Sequence, residues 1–111
     1  MPKFIDLINK GDIFANIHPY KQKDVYELVT ILKDKVELIV IFGSSVKDTC
    51  WQGSDLDVCI VSKEDIQLKN VIKNLNFLKY DTIEELAHLA SYPLWCIEKE
   101  IWEKGEVVYV R

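Results

Sequence analysis

The sequence predicts an α/β (α+β) domain in which helices flank a small mixed β-sheet. Two observations predict this class: apolar runs of strand length that stop at glycine or polar residues, and apolar stripes with helical spacing between them. A third is the length of 111 residues, of which 49% are hydrophobic and 29% charged, the composition of an ordinary globular domain. We therefore expect residues 1–111 to form a single domain.

The first third of the chain predicts helical structure followed by a buried strand. Residues 3–9 can form a short helical turn, and Pro19 opens a helix that runs to about Asp34. The apolar stripe of this helix consists of Val25, Leu28, Val29 and Leu32. The run 36–42 is β-branched and mostly apolar, and Gly43 ends it, which is typical of a buried strand.

A polar loop and a second strand come next. The loop, residues 44–54, has room for one helical turn and leads into a strand at 56–61. Because this connection is short for a helical crossover, the two strands can run antiparallel. Ser62, with Asp65 three residues later, resembles a capping box that opens another helix. The stripe predicted for that helix is Leu68, Val71, Ile72 and Leu75.

The last third predicts a strand, two helices and an edge strand. The strand spans 77–83 and is followed by a helix that ends at Tyr92-Pro93. The apolar stripe of that helix is Ile83, Leu86, Ala87 and Ala90. A final amphipathic helix carries Leu94, Ile97 and Ile101. Gly105 stops it, and residues 107–110 can add an edge strand.

Charge and hydropathy disfavour several classes of protein. The net charge is −4, and the 14 basic residues are scattered, whereas nucleic-acid modules gather Lys and Arg into a stripe. No apolar run approaches the roughly 20 residues of a membrane span. The N-terminal segment lacks the pattern of a secretory signal. Neither direct nucleic-acid binding, nor a membrane, nor export is therefore expected.

Three cysteines, Cys50, Cys59 and Cys96, are an odd number without metal-ligand spacing. We expect all three to be reduced, with Cys59 in a strand and Cys96 on a helix face. A structural zinc site needs four ligands, and no such set is evident. The expected compartment is the cytoplasm.

Two carboxylates stand at the start of the second strand. Asp55 and Asp57 are two residues apart, so both side chains leave the same face of the strand, opposite Leu56. They repel each other unless a cation lies between them, and Mg²⁺ accepts one or two carboxylates together with substrate phosphates. By itself the pair also fits a turn-capping aspartate beside a solvated strand-end charge.

Gly43-Ser44 directly follows the first strand. Backbone N–H groups at such a turn can bind a phosphate, because glycine permits close approach and a serine hydroxyl can donate to a phosphate oxygen. An ordinary strand-to-loop turn has the same residues. The conjunction of this turn with the carboxylate pair, at the ends of consecutive strands, is much rarer than either feature.

Gly43-Ser44, ten intervening residues and Asp55-Leu56-Asp57 resemble the GS…DxD signature of the DNA polymerase beta-like nucleotidyltransferase superfamily. The chain is most similar to the minimal MNT-type branch, which is often paired with HEPN-domain partners in toxin–antitoxin systems. The resemblance extends from about Val25 to Tyr109. It includes a tail similar to that of the family, formed by Ile101, Gly105, Val107, Val108 and Tyr109.

The resemblance implies the corresponding fold, substrate and chemistry. The expected reaction moves AMP from ATP, or a nucleoside monophosphate from another NTP, onto an acceptor hydroxyl with release of pyrophosphate. Two Mg²⁺ ions are expected. The nucleotide-binding residues expected from it are Gly43, Ser44, Ser54 and Lys47. Lys47 is the only cation near the GS pair, where many relatives carry arginines and a glycine.

A third carboxylate on a later strand is also implied by the resemblance. We assign it to Asp81, so that Asp55, Asp57 and Asp81 are the expected catalytic and metal-binding residues. Glu84 or Glu85 is the alternative third ligand, and Asp81 could also be a strand-end or helix-capping aspartate.

The acceptor is the least determined part of the prediction. The resemblance implies a tyrosine of a HEPN-type partner toxin. The first alternative is a non-catalytic antitoxin that neutralises its partner by docking, using Trp95 or Trp102, of which at least one is expected in the core. The second is transfer onto a small molecule such as an aminoglycoside.

Overall fold

The fold is a four-stranded mixed sheet, seen in a computed structural model that describes residues 16–47, 50, 53–68, 72 and 74–111. The strands are β1 (Leu38–Phe42), β2 (Leu56–Val61), β3 (Leu75–Tyr80) and β4 (Glu106–Val110). Their order is β3-β2-β1-β4. β1 runs antiparallel to both β2 and β4, whereas β2 and β3 are parallel. The predicted α/β (α+β) class with a small mixed sheet is confirmed.

Helices cover both faces of this sheet. The described residues form three α-helices: α1 (Pro19–Leu32), α2 (Ile83–Ala90) and α3 (Ile97–Lys104). The apolar stripe of α1 packs against one face of the sheet and forms a core with it. α2 and α3 pack against the other face through Leu86 and Ile101. Since β1 is covered on both sides, all five of its residues are buried, which explains its continuous apolar run.

Alternation along β2 decides which face each residue takes. Leu56, Val58 and Ile60 belong to the core on the α1 side. Cys59 and Val61 belong to the core on the α2–α3 side, so Asp57 lies on that side as well. The predicted bounds of this strand, its antiparallel pairing with β1 and the burial of Cys59 are confirmed.

The helix predicted after Ser62 is wrong for the described residues. Residues 62–68 are not helical, and Leu75 begins β3. The Ser62 hydroxyl accepts the N–H of Glu64 at 3.1 Å, a turn that competes with helix capping. Leu68 and Ile72 are nevertheless buried against the α1 side. Both side chains are therefore buried as the apolar spacing predicts; Val71 lies outside the described residues.

The third strand begins and ends earlier than predicted. It spans Leu75–Tyr80 rather than 77–83, and Ile83 already belongs to α2. Thr82 caps that helix, because its side chain accepts the N–H of Glu85 at 3.0 Å. This shift changes which residue of the strand faces the carboxylate pair.

The start of the last helix also differs from the prediction. Leu94 lies before α3 and is 80% exposed. Cys96 is the residue that precedes the helix rather than one on its face. Gly105 ends the helix as predicted, with φ −68°. A Cβ there would lie 2.5 Å from Val40 Cγ1, so close packing on β1 accounts for the glycine.

The helical turn predicted at residues 3–9 lies outside the described residues. Within the part of the chain that the structure describes, no helix has the length and apolarity required to cross a membrane.

Candidate active site

Three strands meet at one edge of the sheet and bring the predicted site residues together. Phe42, the last residue of β1, pairs with Asp57 near the start of β2. Asn76, near the start of β3, pairs with Asp57 from the other side. The segment Gly43–Val46 forms a short 3₁₀ helix directly above this junction. The predicted turn and carboxylate pair are therefore in contact.

Gly43 is the point of that contact. Its φ is +71°, and a Cβ at this position would lie 2.3 Å from the Asp57 carboxylate oxygen Oδ2. A side chain would thus clash with Asp57 and force a backbone conformation that L-residues rarely adopt. Because Gly43 has no side chain, the space above the Asp57 carboxylate stays open.

The 3₁₀ helix is tied to the rest of the fold through its backbone. The N–H of Lys47 donates to the Ser44 carbonyl at 3.0 Å, and the N–H of His18 donates to the Ser45 carbonyl at 2.8 Å. Ser44 is half-buried. The Ser45 hydroxyl is fully buried and has no hydrogen-bond partner among the described residues.

Asn76 connects the two aspartates. Its amide Nδ2 lies 2.8 Å from Asp55 Oδ2 and 3.5 Å from Asp57 Oδ1. The first distance is that of a good hydrogen bond, and the second is at the outer limit. Sequence reasoning missed Asn76. A correct β3 boundary would have put Asn76 in the strand, but only the register of β2 with β3 places it beside Asp57.

Electrostatics disfavour a charged Asp57 when no cation is bound. Burial raises its pKa above the usual range, and the charges of Asp55 and Glu100 act in the same direction. The Asn76 hydrogen bond and the Lys47 charge lower it by less. The carboxylate pair is therefore short of positive charge, and a divalent cation would supply it.

Lys47, the predicted phosphate-binding cation, is within electrostatic reach of Asp57. Its Nζ lies 3.7 Å from Glu100 Oε1, and its side chain is 45% exposed. Glu100 on α3 partly neutralises this cation, and sequence reasoning did not anticipate that contact. A triphosphate would compete with Glu100 for Lys47.

Ser54 lies immediately before Asp55 and is buried. Its backbone carbonyl accepts a hydrogen bond from Nζ of Lys21 on α1. Lys21 is 3% exposed, which is unusual for lysine. This contact anchors the end of the loop that carries Asp55, a role that the sequence did not reveal.

Asp81, the predicted third carboxylate, does not join the pair. It follows Tyr80, which pairs with Val61 at the far end of β2. It lies five positions after Asn76 in the chain, about 16 Å away along the sheet. Its carboxylate instead contacts Lys79 Nζ at 3.0 Å. Glu84 and Glu85 open α2 at the same far edge, so these alternatives do not join the pair either.

A small apolar pocket adjoins the carboxylate pair. Its volume is about 200 Å³. It is lined by Phe42, Asp57, Asn76, Phe77, Leu78 and Ile97. An aromatic ring could be held there beside the carboxylates.

The residues present provide two of the three carboxylates expected for the metal site. No group of three His, Cys, Asp or Glu side chains that could hold a metal ion occurs among the described residues. Asp55 and Asp57 suit a Mg²⁺ ion whose remaining ligands are substrate phosphates and water. The open space above Asp57 and the unneutralised charge of the pair fit such an ion.

The fold and the strand-end site define the class of this protein. A family model described as "Polymerase beta, Nucleotidyltransferase" matches residues 27–111. The chain belongs to this nucleotidyltransferase family, and the predicted family resemblance is confirmed.

A relative that is named as an adenylyltransferase supports the same family assignment. The chain is 37% identical over 62 residues to a protein of Methanocaldococcus jannaschii named "Putative protein adenylyltransferase MJ0141". The match covers 51% of this chain and 63% of the relative. No solved structure is significantly similar to the chain.

Proposed function

We propose that this chain is a Mg²⁺-dependent nucleotidyltransferase that moves AMP from ATP onto a hydroxyl group of a protein. The observation that carries the proposal is the contact of Gly43 with Asp57. It joins a phosphate-binding turn to a carboxylate pair at one sheet edge. Family membership supports the reaction class, and the name of the relative, a protein adenylyltransferase, supports a protein acceptor.

In the proposed reaction the acceptor oxygen attacks the α-phosphorus of ATP. A bond forms between these two atoms, and the bond from the α-phosphorus to the α–β bridging oxygen breaks. Pyrophosphate leaves with the electron pair, and the acceptor proton passes to water. Positioning and charge neutralisation account for most of the catalysis of phosphoryl transfer.

The residues of the chain divide this task. The N–H groups of the turn at Gly43 and Ser44 would hold the β- and γ-phosphates, and Lys47 would contribute its charge. Asp55 and Asp57 would hold the cation. Bound Mg²⁺ neutralises phosphate charge and stabilises the leaving pyrophosphate. We place Ser54 at the nucleotide as predicted, held by its backbone contact with Lys21.

A tyrosine of a HEPN-type partner is the acceptor that we propose. The apolar pocket beside Asp57 supports an aromatic acceptor, because Phe42 and Ile97 line it next to the carboxylates. A phenol ring in that pocket would bring its hydroxyl close to the reacting phosphate.

The test uses ATP labelled at the α-phosphate, Mg²⁺ and a lysate of the native host. Wild-type chain is compared with the double variant Asp55→Asn/Asp57→Asn and with Asp81→Asn as the matched control. We expect one labelled protein band with wild type and with Asp81→Asn. With the double variant we expect a loss of at least about 100-fold.

Absence of label with wild type, or equal label with the double variant, would contradict nucleotide transfer. Label on a small molecule would keep the reaction and replace the acceptor. Mass spectrometry of the labelled band would show whether the modified residue is a tyrosine.

A docking function without catalysis is the second candidate. The exposed aromatic loop between α2 and α3 favours it, because Tyr92 is 49% and Trp95 is 70% exposed. Trp102 is partly buried against the core, so only Trp95 of the two tryptophans is available. In this case the double variant would still neutralise the partner.

A further inference from the structure

We infer that Asn76 replaces the third acidic ligand and positions Asp55 and Asp57 for one divalent cation instead of two. The inference rests on the proposed function for the role of the cation. It makes Asn76 a positioning residue of the site.

The strand register is the first observation. β2 and β3 are parallel, and Asn76 pairs with Asp57. Since Cys59 and Tyr80 both pack on the α2–α3 side, alternation puts Asp57 and Asn76 on that same side. Asn76 therefore occupies the place on the adjacent strand from which a third carboxylate could reach the pair.

The hydrogen bonds are the second observation. The amide Nδ2 of Asn76 is within 2.8 Å of Asp55 and 3.5 Å of Asp57. An amide donates to both carboxylates without adding charge. It holds together two groups that would otherwise repel each other.

The charge of the site is the third observation. Without nucleotide, Asp55 and Asp57 provide two negative charges, half of what two divalent cations carry. Glu100 is paired with Lys47, and Asp81 is about 16 Å away along the sheet. Among the described residues, no third carboxylate completes the pair as a metal-binding group.

The test counts Mn²⁺ ions bound to the full chain by electron paramagnetic resonance, with Mn²⁺ alone as the probe. We expect one ion for wild type and for the control Asp81→Asn. Asn76→Asp should bind a second ion. Asn76→Ala should keep one ion with an affinity about 10- to 100-fold lower, because it loses only the positioning contact.

Thermal unfolding supplies a readout that does not need activity. Without metal, Asn76→Asp should melt below wild type, because three carboxylates then repel one another. Mn²⁺ should raise its melting temperature more than that of wild type. If Asn76→Asp fails to fold, the Mn²⁺ affinity of Asn76→Ala still tests the role of Asn76.

Two ions or none bound to wild type would overturn the inference. An unchanged count in folded Asn76→Asp, or an unchanged affinity in Asn76→Ala, would overturn it too, as would an ion lost in Asp81→Asn. If wild type binds one ion but transfers no label, the proposed function alone fails. If it transfers label with two ions bound, this inference alone fails.

Discussion

Gly43 and Asp57 show how one residue pair sets the geometry of the site. Gly43 adopts φ +71°, and its Cα faces the Asp57 carboxylate so closely that a Cβ would lie 2.3 Å from Oδ2. Asp57 is held in turn by its strand position opposite Phe42. The turn proposed to bind phosphate and the Asp57 carboxylate are therefore packed against each other.

Gly43→Ala should impair transfer more than it impairs folding. The left-handed backbone costs alanine about 1–2 kcal/mol of stability, and the methyl group displaces the Asp57 carboxylate. A misplacement of this kind lowers the transfer rate by about 100-fold. The measurements are urea unfolding and the rate of label transfer per folded molecule.

Gly105→Ala is the matched control for Gly43→Ala. A Cβ there would lie 2.4 Å from the Ile101 carbonyl, and overpacking of this kind costs about 1–3 kcal/mol. Gly105 does not contact the carboxylates, so its transfer per folded molecule should stay at the wild-type rate. Equal loss of transfer in both variants would contradict a specific role of Gly43.

Asp57→Asn should stabilise the metal-free protein at neutral pH. Burial raises the pKa of Asp57 above its ordinary value of 3.8, so the folded state binds this proton more tightly than the unfolded state does. The free energy of unfolding of wild type then falls as pH rises from 3.8 through the folded pKa. Asn76 can still donate to the new amide oxygen.

Urea unfolding of both proteins across this pH range, in the presence of EDTA, measures the difference. The free energy of unfolding of the variant, relative to wild type, should increase as pH rises. Below pH 3.8 this difference should disappear. Asp81→Asn controls for the removal of one carboxylate. A wild-type protein that gains stability relative to Asp57→Asn over the same window would contradict the electrostatic explanation.

At the scale of elements, β3 links the site to the opposite edge of the sheet. It presents Asn76 at its start and Tyr80 at its end, both on the α2–α3 side. The Tyr80 hydroxyl donates to Glu98 Oε2 on α3 at 2.5 Å. Burial, and then this hydrogen bond, raise the Tyr80 pKa, so the phenol stays protonated beyond its usual range.

Tyr80→Phe should loosen the attachment of α3 to the sheet. The loss of a hydrogen bond to a charged group costs about 1.5–3 kcal/mol. Urea unfolding of Tyr80→Phe, Glu98→Gln and the double variant would measure the coupling between the two side chains. Tyr92→Phe, in the exposed loop, is the control and should change stability little. If the losses of stability in the two single variants add up to the loss in the double variant, the hydrogen bond contributes nothing to stability.

At the scale of the whole molecule, helices cover both faces of the sheet, and the candidate site lies at one end of its strands. β1 ends there, and β2, β3 and β4 begin there. α1 anchors the adjoining loop through Lys21 and Ser54, while α3 brings Glu100 toward Lys47. Each layer thus supplies a charged residue that contacts a segment next to the carboxylate pair.

Local sequence patterns predicted the parts of the fold that depend on neighbouring residues. The bounds of β2, the start of α1 at Pro19 and the antiparallel pairing of β1 with β2 all agree with the structure. The segment after Ser62 has apolar residues at helical spacing, yet residues 62–68 are not helical, although Leu68 and Ile72 are buried. Apolar periodicity indicates which residues are buried, and a residue can be buried in more than one backbone conformation.

The site divides in the same way. By itself, the sequence determined the turn at Gly43 and the common face of Asp55 and Asp57, because alternation along a strand is a local property. Only the tertiary structure decided that Asn76, rather than Asp81, stands beside the pair. That choice depends on the pairing register of β2 with β3, which the packing of residues distant in the chain decides.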